Sequence, residues 1–233
     1  MDCLEGLKLI PDNSIDLVVT DPPYKTTSRG SSGGTGGILK EEINKKGKVF
    51  KHNDIEFNEW LPELYRVLKE KGHAYIMTNN KNLKSMLVEV GNAGFNIFKT
   101  LIWAKNNAIT NTYYMDSHEY IIFCRKGKAK RINNCGTKSV LNIDNPRNKL
   151  HPTEKPVELM GILINNSSNE CDTVLDPFIG SGSTAIACIN NNRNYIGFEL
   201  SEEYCKIAEK RISETTSNQI ERQLEWYFGI GIK

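Results

Sequence analysis

Paired cysteines are absent from this sequence, and their absence excludes two classes of small stabilised domain. The cysteines are widely spaced, none forms a C-x-x-C pair, and none has a histidine neighbour at ligand spacing. Disulfide frameworks and structural zinc sites need such spacings. We therefore expect reduced thiols, no metal site and a cytoplasmic location. The cysteines are Cys3, Cys124, Cys135, Cys171, Cys188 and Cys205.

Long apolar runs and an excess of charge of one sign are also missing. No apolar run approaches the roughly 20 residues of a membrane-spanning helix, and the first residues do not have the pattern of a signal peptide. The 30 Lys and Arg residues nearly balance the 28 Asp and Glu residues, for a net charge of +2. Any basic surface must therefore be local. These absences predict a soluble intracellular protein with no membrane partner.

The sequence does contain a regular alternation of apolar and amphipathic segments along its 233 residues. That length suits one large domain, so we treat residues 1–233 as a single domain. Strands are expected at 15–19, 73–78, 96–104, 119–124, 173–175 and 195–198. Helices are expected at 4–10, 55–69, 81–93, 157–165, up to 189, and 201–212. The alternation predicts an α/β, doubly wound, mostly parallel sheet, with 96–104 and 119–124 as an antiparallel edge pair.

Two segments interrupt this alternation. Residues 25–54 contain a Gly- and Ser-rich run followed by a highly charged stretch. This segment is either a flexible loop or a lid that orders on binding and brings its lysines to phosphates. Residues 106–150 contain the basic run 125–131. That run is either a solvated face or part of an inserted recognition module.

The pentapeptide at residues 20–24, T-D-P-P-Y, follows the first predicted strand. Two successive prolines have fixed φ and no N–H groups, so they hold Asp21 and the Pro22 carbonyl in a stiff arrangement beyond the strand. Ligands of open α/β sheets bind at that edge. Two acceptors beside the flat ring of Tyr24 suit a planar aromatic amine. The alternative is a Pro-Pro turn with a solvated aspartate.

A second motif spans residues 175–199 and reads strand, glycine loop, helix, strand, acid. Gly180-x-Gly182-x-x-Ala185 fits the dinucleotide-binding pattern, with Glu199 placed to accept two ribose hydroxyls. Asp176 and Phe178 intervene before the first glycine, where a pyrophosphate would need free N–H groups. A carboxylate there favours a cationic nucleoside ligand that carries an ammonium and a sulfonium. A simple Gly-Ser turn into a helix and a nicotinamide-dependent oxidoreductase stay open as alternatives.

Three motifs in this order resemble the S-adenosylmethionine-dependent amino DNA methyltransferases of the β group. They are D-P-P-Y at 21–24, H-P-T-E-K-P at 151–156 and D-P-F-I-G-S-G-S-T at 176–184. The resemblance implies a circularly permuted, Rossmann-like methyltransferase fold, with 106–150 as an inserted target-recognition region between the catalytic and cofactor motifs. The family has a strand and a glycine before the residue that matches Asp2, and this sequence has neither there. We therefore expect an adenine pocket that is either incomplete or differently edged.

The resemblance also implies residue roles. In the catalytic motif, Asp21 and the carbonyl of Pro22 would hold the target amine, Pro23 would follow them, and Tyr24 would stack on the extruded base. Asp21 would also contact the methionine end of the cofactor. Phe178 would pack on the adenine, Glu199 would bind the ribose, and Asp2 with Cys3 would border the adenine pocket. The segments around Lys105 and Glu119 also resemble the family, and we assign them a supporting role only. The remaining cofactor-binding residues implied are His151, Thr153, Lys155, Asp176, Gly180, Ser181, Gly182, Ser183 and Thr184.

The implied activity is methyl transfer from S-adenosylmethionine to the exocyclic amine of a flipped base in double-stranded DNA. Adenine N6 is favoured, because in the family an aspartate at the first motif position goes more often with adenine. Cytosine N4, an RNA base, a protein glutamine and a non-catalytic DNA-binding relative are the alternatives. A homodimer and a cognate restriction nuclease are compatible with the resemblance, and a metal is not required.

Overall fold

The computed structural model describes residues 1–23, 55–110, 113–146 and 154–228. Every helix and strand expected from the sequence has a counterpart. The strands are β1 (Ile15–Thr20), β2 (Leu68–Thr78), β3 (Asn96–Ile109), β4 (Asp116–Arg125), β5 (Val140–Asn142), β6 (Thr173–Asp176) and β7 (Asn194–Gly197). The helices are α1 (Cys3–Lys8), α2 (Phe57–Val67), α3 (Leu83–Asn92), α4 (Val157–Ser167), α5 (Ser183–Asn190) and α6 (Glu202–Phe228).

The described strands form one sheet with the order β5-β3-β4-β2-β1-β6-β7. Strand β4 pairs antiparallel with both β2 and β3, and the other pairings are parallel. The predicted antiparallel pair β3–β4 is therefore present. The short β5 lies outside it, with Val140 opposite Ile102, and no pattern in the sequence predicted a strand of three residues. Strands β4 and β5 lie within 106–150, so this range contributes to the central sheet.

Strand β1 is apolar on both faces because helices cover both sides of a parallel sheet. Ile15 and Val18 pack into one core with Trp60 of α2. Leu17 and Val19 point to the opposite face and pack into a second core with Leu163 of α4. Helices α1, α2 and α3 supply the first core, and α4 and α5 supply the second. This arrangement fixes the sheet and leaves its edges for loops.

The carboxyl ends of β1, β6 and β7 meet at one edge of the sheet. The strands are parallel neighbours, with Val18 opposite Leu175 and Asp176 opposite Gly197. The segments that follow them begin with Asp21, Pro177 and Phe198. The tertiary structure therefore brings Asp21 and the glycine-rich segment to the same edge of the sheet. No helix in the described ranges is long and apolar enough to cross a bilayer.

Candidate active site at the carboxyl edge of the sheet

Asp21 lies directly after β1, where the two prolines end the strand. One carboxylate oxygen, Oδ2, accepts a hydrogen bond from the Lys155 Nζ ammonium. The other, Oδ1, is buried and has no hydrogen-bond partner among the described residues. Burial raises the pKa of Asp21, and the Lys155 ammonium opposes that shift only in part. A buried acceptor without a partner is costly, so Oδ1 is suited to a ligand donor.

Lys155 lies between two carboxylates. Besides Asp21, its Nζ is 3.4 Å from Oε2 of Glu119 on β4. Glu119 accepts a hydrogen bond at its other oxygen, Oε1, from Lys105 Nζ of β3, at 2.5 Å. Burial opposes ionisation of Glu119, but the ammonium groups of Lys155 and Lys105 outweigh it and lower its pKa. The four side chains form a row of alternating charge that ends at Asp21.

Asp176, at the end of β6, joins the two motifs. Its Oδ1 accepts from the Thr20 hydroxyl at 2.8 Å, and its Oδ2 accepts from the Thr184 hydroxyl at 2.6 Å. The backbone N–H of Phe178 also donates to Oδ1, at 3.1 Å. Burial raises the pKa of Asp176 to about 6, although these hydrogen bonds act in the opposite direction. The carboxylate thus ties the residue before Asp21 to the glycine loop.

Glu199 is oriented by two backbone N–H groups, one in the glycine-rich loop and one directly before α6. Its Oε2 accepts from the N–H of Gly180 at 3.1 Å, and its Oε1 accepts from the N–H of Ser201 at 2.7 Å. Gly180 has φ +53°, a left-handed conformation that glycine adopts at little cost. A carboxylate held in this way keeps lone pairs for further donors, such as a vicinal diol.

The apolar end of the site is built by α1 and the loop after β6. Asp2 caps α1, since its carboxylate accepts from the N–H of Leu4 at 2.8 Å. Burial raises the pKa of the Cys3 thiol to about 12, so it stays neutral. The Phe178 ring packs edge-on against Trp60, with centroids 5.2 Å apart. This contact fixes a flat apolar surface at one side of the site.

Comparison with known proteins identifies the family. A model of a DNA methylase family, named for N6 and N4 methylation, matches residues 15–210. The chain belongs to this family. The methylase is 32% identical to the type II methyltransferase M.HinfI of Haemophilus influenzae, over 93% of its own length and 68% of that protein. It is 30% identical to the type II methyltransferase M2.MboI of Moraxella bovis, over 92% and 86% of the two chains.

Solved structures resemble the methylase along nearly its whole length. The crystal structure of the M1.HpyAVI complex with S-adenosylmethionine superposes with a TM-score of 0.68 at 26% identity, over 90% of this chain and 96% of that one. The PvuII DNA methyltransferase, which is cytosine-N4-specific, has a TM-score of 0.70 at 17% identity, over 94% and 90% of the chains. The second likeness concerns the fold alone, which is the Rossmann-like methyltransferase fold.

A cavity of about 810 Å³ lies over this edge of the methylase sheet. Sites for small ligands have volumes of roughly 300–1,000 Å³. Carboxylates at Asp21 and Glu199 and the ring of Phe178 line one continuous space. These two acceptors and this ring fit S-adenosylmethionine, which carries positive charge, two ribose hydroxyls and an aromatic base. No group of three potential metal ligands occurs in the described ranges.

Most of the site residues predicted from the sequence line this cavity, but Gly182 does not. Gly182 has φ +85° and faces α6, where a Cβ atom would lie 3.2 Å from the Cβ of Ala208. Tyr24, His151 and Thr153 lie outside the described residues, as does segment 25–54. The predicted residues that line the cavity are Asp2, Cys3, Asp21, Pro22, Pro23, Lys155, Asp176, Phe178, Gly180, Ser181, Ser183, Thr184 and Glu199.

Two features of the methylase site were not predicted from the sequence. Arg211 of α6 donates to the Ser181 carbonyl at 2.6 Å and pairs with Glu154 at 2.8 Å. It therefore fixes the glycine loop from a helix distant in the chain. Tyr113 and Tyr114, between β3 and β4, are 88% and 89% exposed, and Tyr114 lines the cavity mouth. Aromatic residues in a short segment between two strands were the available signal.

Proposed function

We propose that this DNA methylase transfers a methyl group to N6 of adenine in double-stranded DNA, with the target base flipped into the cavity. The observation that carries the proposal is the buried Oδ1 atom of Asp21, which lacks a described hydrogen-bond partner at the cavity wall. The family pattern in which an aspartate at this position accompanies adenine favours N6 over cytosine N4. S-adenosylmethionine is the cofactor, and it supplies an electrophilic methyl group on a sulfonium.

The residues of the chain act on the amine. The lone pair of an exocyclic amine is delocalised into the base, which makes it a poor nucleophile. Asp21 Oδ1 and the Pro22 carbonyl accept the two N–H hydrogens and favour the geometry in which the lone pair is available. As positive charge develops on nitrogen, the carboxylate stabilises it, and preorganised charge of this kind is usually the largest contribution to catalysis. The product proton passes to Asp21 or to water.

Base flipping makes this site accessible to a duplex. An amine inside the base stack cannot reach a carboxylate in a cavity, and extrusion costs a few kcal/mol. The exposed Tyr114 lines the cavity, and Tyr113 is its exposed neighbour in the chain. Both would stack on bases beside the flipped one. We assign sequence recognition to segments 25–54 and 106–150, through base-edge and phosphate contacts.

The same proposal includes a cytoplasmic location, because the substrate is DNA. A homodimer and a cognate restriction nuclease complete the proposed partners. The similarity to M.HinfI and M2.MboI, both type II methyltransferases, supports the proposal of a nuclease. Analytical ultracentrifugation at micromolar concentration tests the dimer.

Methyl transfer from labelled cofactor to defined DNA tests the proposed function. Duplex DNA is incubated with the protein and labelled S-adenosylmethionine, digested to nucleosides and separated by mass. Label in N6-methyldeoxyadenosine is the expected result. Label in N4-methyldeoxycytidine would show that the target is N4 of cytosine and not N6 of adenine. Label that enters only RNA or protein would reject DNA as the substrate.

A further inference from the structure

The row of charges behind Asp21 draws side chains from four places in the chain. Lys105 comes from β3, Glu119 from β4, Lys155 from the residues before α4, and Asp21 from the end of β1. The Lys155 side chain is 5% exposed, and the other three are 15–17% exposed. Charges this far from water are costly unless each has a partner. Here each anion contacts a cation, and each cation contacts an anion.

Glu119 is the central anion of this row. It contacts both lysines, through Oε1 to Lys105 and through Oε2 to Lys155. If Glu119 were uncharged, Asp21 would be the only charged carboxylate of these four groups in contact with the Lys155 ammonium. Lys155 would then draw the Asp21 carboxylate toward itself, and its positive charge would oppose positive charge developing on a nearby amine.

We propose that Glu119 is a positioning residue for methyl transfer, which acts through Lys155. It shares the Lys155 ammonium with Asp21, so that Asp21 Oδ1 stays directed at the target amine beside a cluster with balanced charge. The proposal rests on the proposed role of Asp21 as the amine acceptor. Glu119 itself touches neither the amine nor the methyl group in this account.

The titration of Asp21 supplies a signature of this arrangement. Burial is the largest influence and raises the pKa of Asp21; Lys155 and Lys105 lower it, and Glu119 raises it. Asp176 of β6 is a further carboxylate close to Asp21, and Asp21 raises the pKa of Asp176. If ionised Asp21 is the active form, the rate increases with pH through the pKa of Asp21. This rise is the acidic limb of the pH–rate profile. Removing a negative neighbour and removing a positive neighbour must move the limb in opposite directions.

The experiment measures single-turnover methyl transfer into duplex DNA across pH for three variants. Glu119→Gln removes a negative charge, which lowers the pKa of Asp21, so the acidic limb moves to lower pH. Lys155→Met removes a positive charge, so the limb moves to higher pH, and Lys105→Met moves it the same way by less. The plateau rate of Glu119→Gln falls roughly tenfold, less than the 10²–10³ lost with a group that touches the reacting charge.

The controls separate positioning from a general loss of structure. Glu170→Gln neutralises an exposed carboxylate before β6, at the opposite edge of the sheet, and keeps both the rate and the limb. Because Asp21 and Lys155 are also predicted cofactor contacts, the cofactor Kd of each variant is measured separately, and rates are compared at saturating S-adenosylmethionine, so that a change in cofactor affinity does not enter the plateau rate. If Glu119→Gln does not fold, the Lys155→Met and Lys105→Met profiles carry the test.

A limb that stays in place in Glu119→Gln or Lys155→Met would overturn the inference, as would a Glu119→Gln limb at higher pH, a lysine-variant limb at lower pH, or a parental plateau rate in Glu119→Gln. Failure of the proposed function has a different result. In that case Asp21→Ala keeps its methyl transfer to DNA, or the parent protein has none, whatever the behaviour of Glu119.

Discussion

Neutralising Asp176 should change how the stability of this protein depends on pH. The side chain is 3% exposed, and burial raises its pKa from 3.8 to about 6. Asp176→Asn preserves the shape and an oxygen acceptor for the Thr20 hydroxyl and the Phe178 N–H, and it removes the titration. The Asn amide requires the Thr184 hydroxyl to rotate and accept, which it can do.

The size of the effect follows from the pKa difference between the folded and unfolded states. The unfolded carboxyl has a pKa near 3.8, so between pH 4 and 6 the folded state binds more protons, and the free energy of unfolding falls as pH rises. A shift of about two units corresponds to about 3 kcal/mol. Asp176 therefore destabilises the fold by about that amount at pH 7, and this effect disappears below about pH 4.

Urea denaturation of the parent protein and Asp176→Asn at several pH values measures this contribution. The difference in the free energy of unfolding between the two proteins should change by about 3 kcal/mol between pH 4 and pH 7, with the variant gaining relative to the parent as pH rises. Asp144→Asn alters an exposed aspartate after β5 and serves as the matched control. A difference that is constant with pH would refute the raised pKa of the buried Asp176.

Three further predictions concern the site. Asp21→Ala should lower methyl transfer by at least about 10²-fold, because it removes the carboxylate that stabilises the amine, while circular dichroism stays unchanged; near-parental turnover would exclude Asp21 from the chemistry. Glu199→Ala should raise the cofactor Kd by about ten- to a hundredfold, as expected for lost hydrogen bonds to a charged group, and calorimetry that finds an unaltered Kd would contradict the ribose assignment. Tyr114→Ala should raise the KM for DNA by about five- to a hundredfold, since stacking contributes about 1–3 kcal/mol per base, without changing cofactor binding; Val88→Ala, at an exposed position on α3, is the control.

Much of the fold was predictable because local patterns and parallel topology agree. Apolar runs such as 15–19 sit in the centre of the sheet, and the helices follow from their periodicity. The predicted family and cofactor are also confirmed, since the motifs that carry them are continuous in sequence. The short β5 was not predicted, because three residues carry no periodicity.

The sequence by itself determined the type of chemistry, because a stiff D-P-P-Y turn and a glycine loop after a strand each require only a few adjacent residues. The tertiary structure alone decided the electrostatics of the site. Lys105, Glu119 and Lys155 are separated along the chain. The row of contacts that links them to Asp21 forms only when β3 pairs with β4 and β4 with β2. Charge interactions depend on distance and burial, which sequence spacing does not specify.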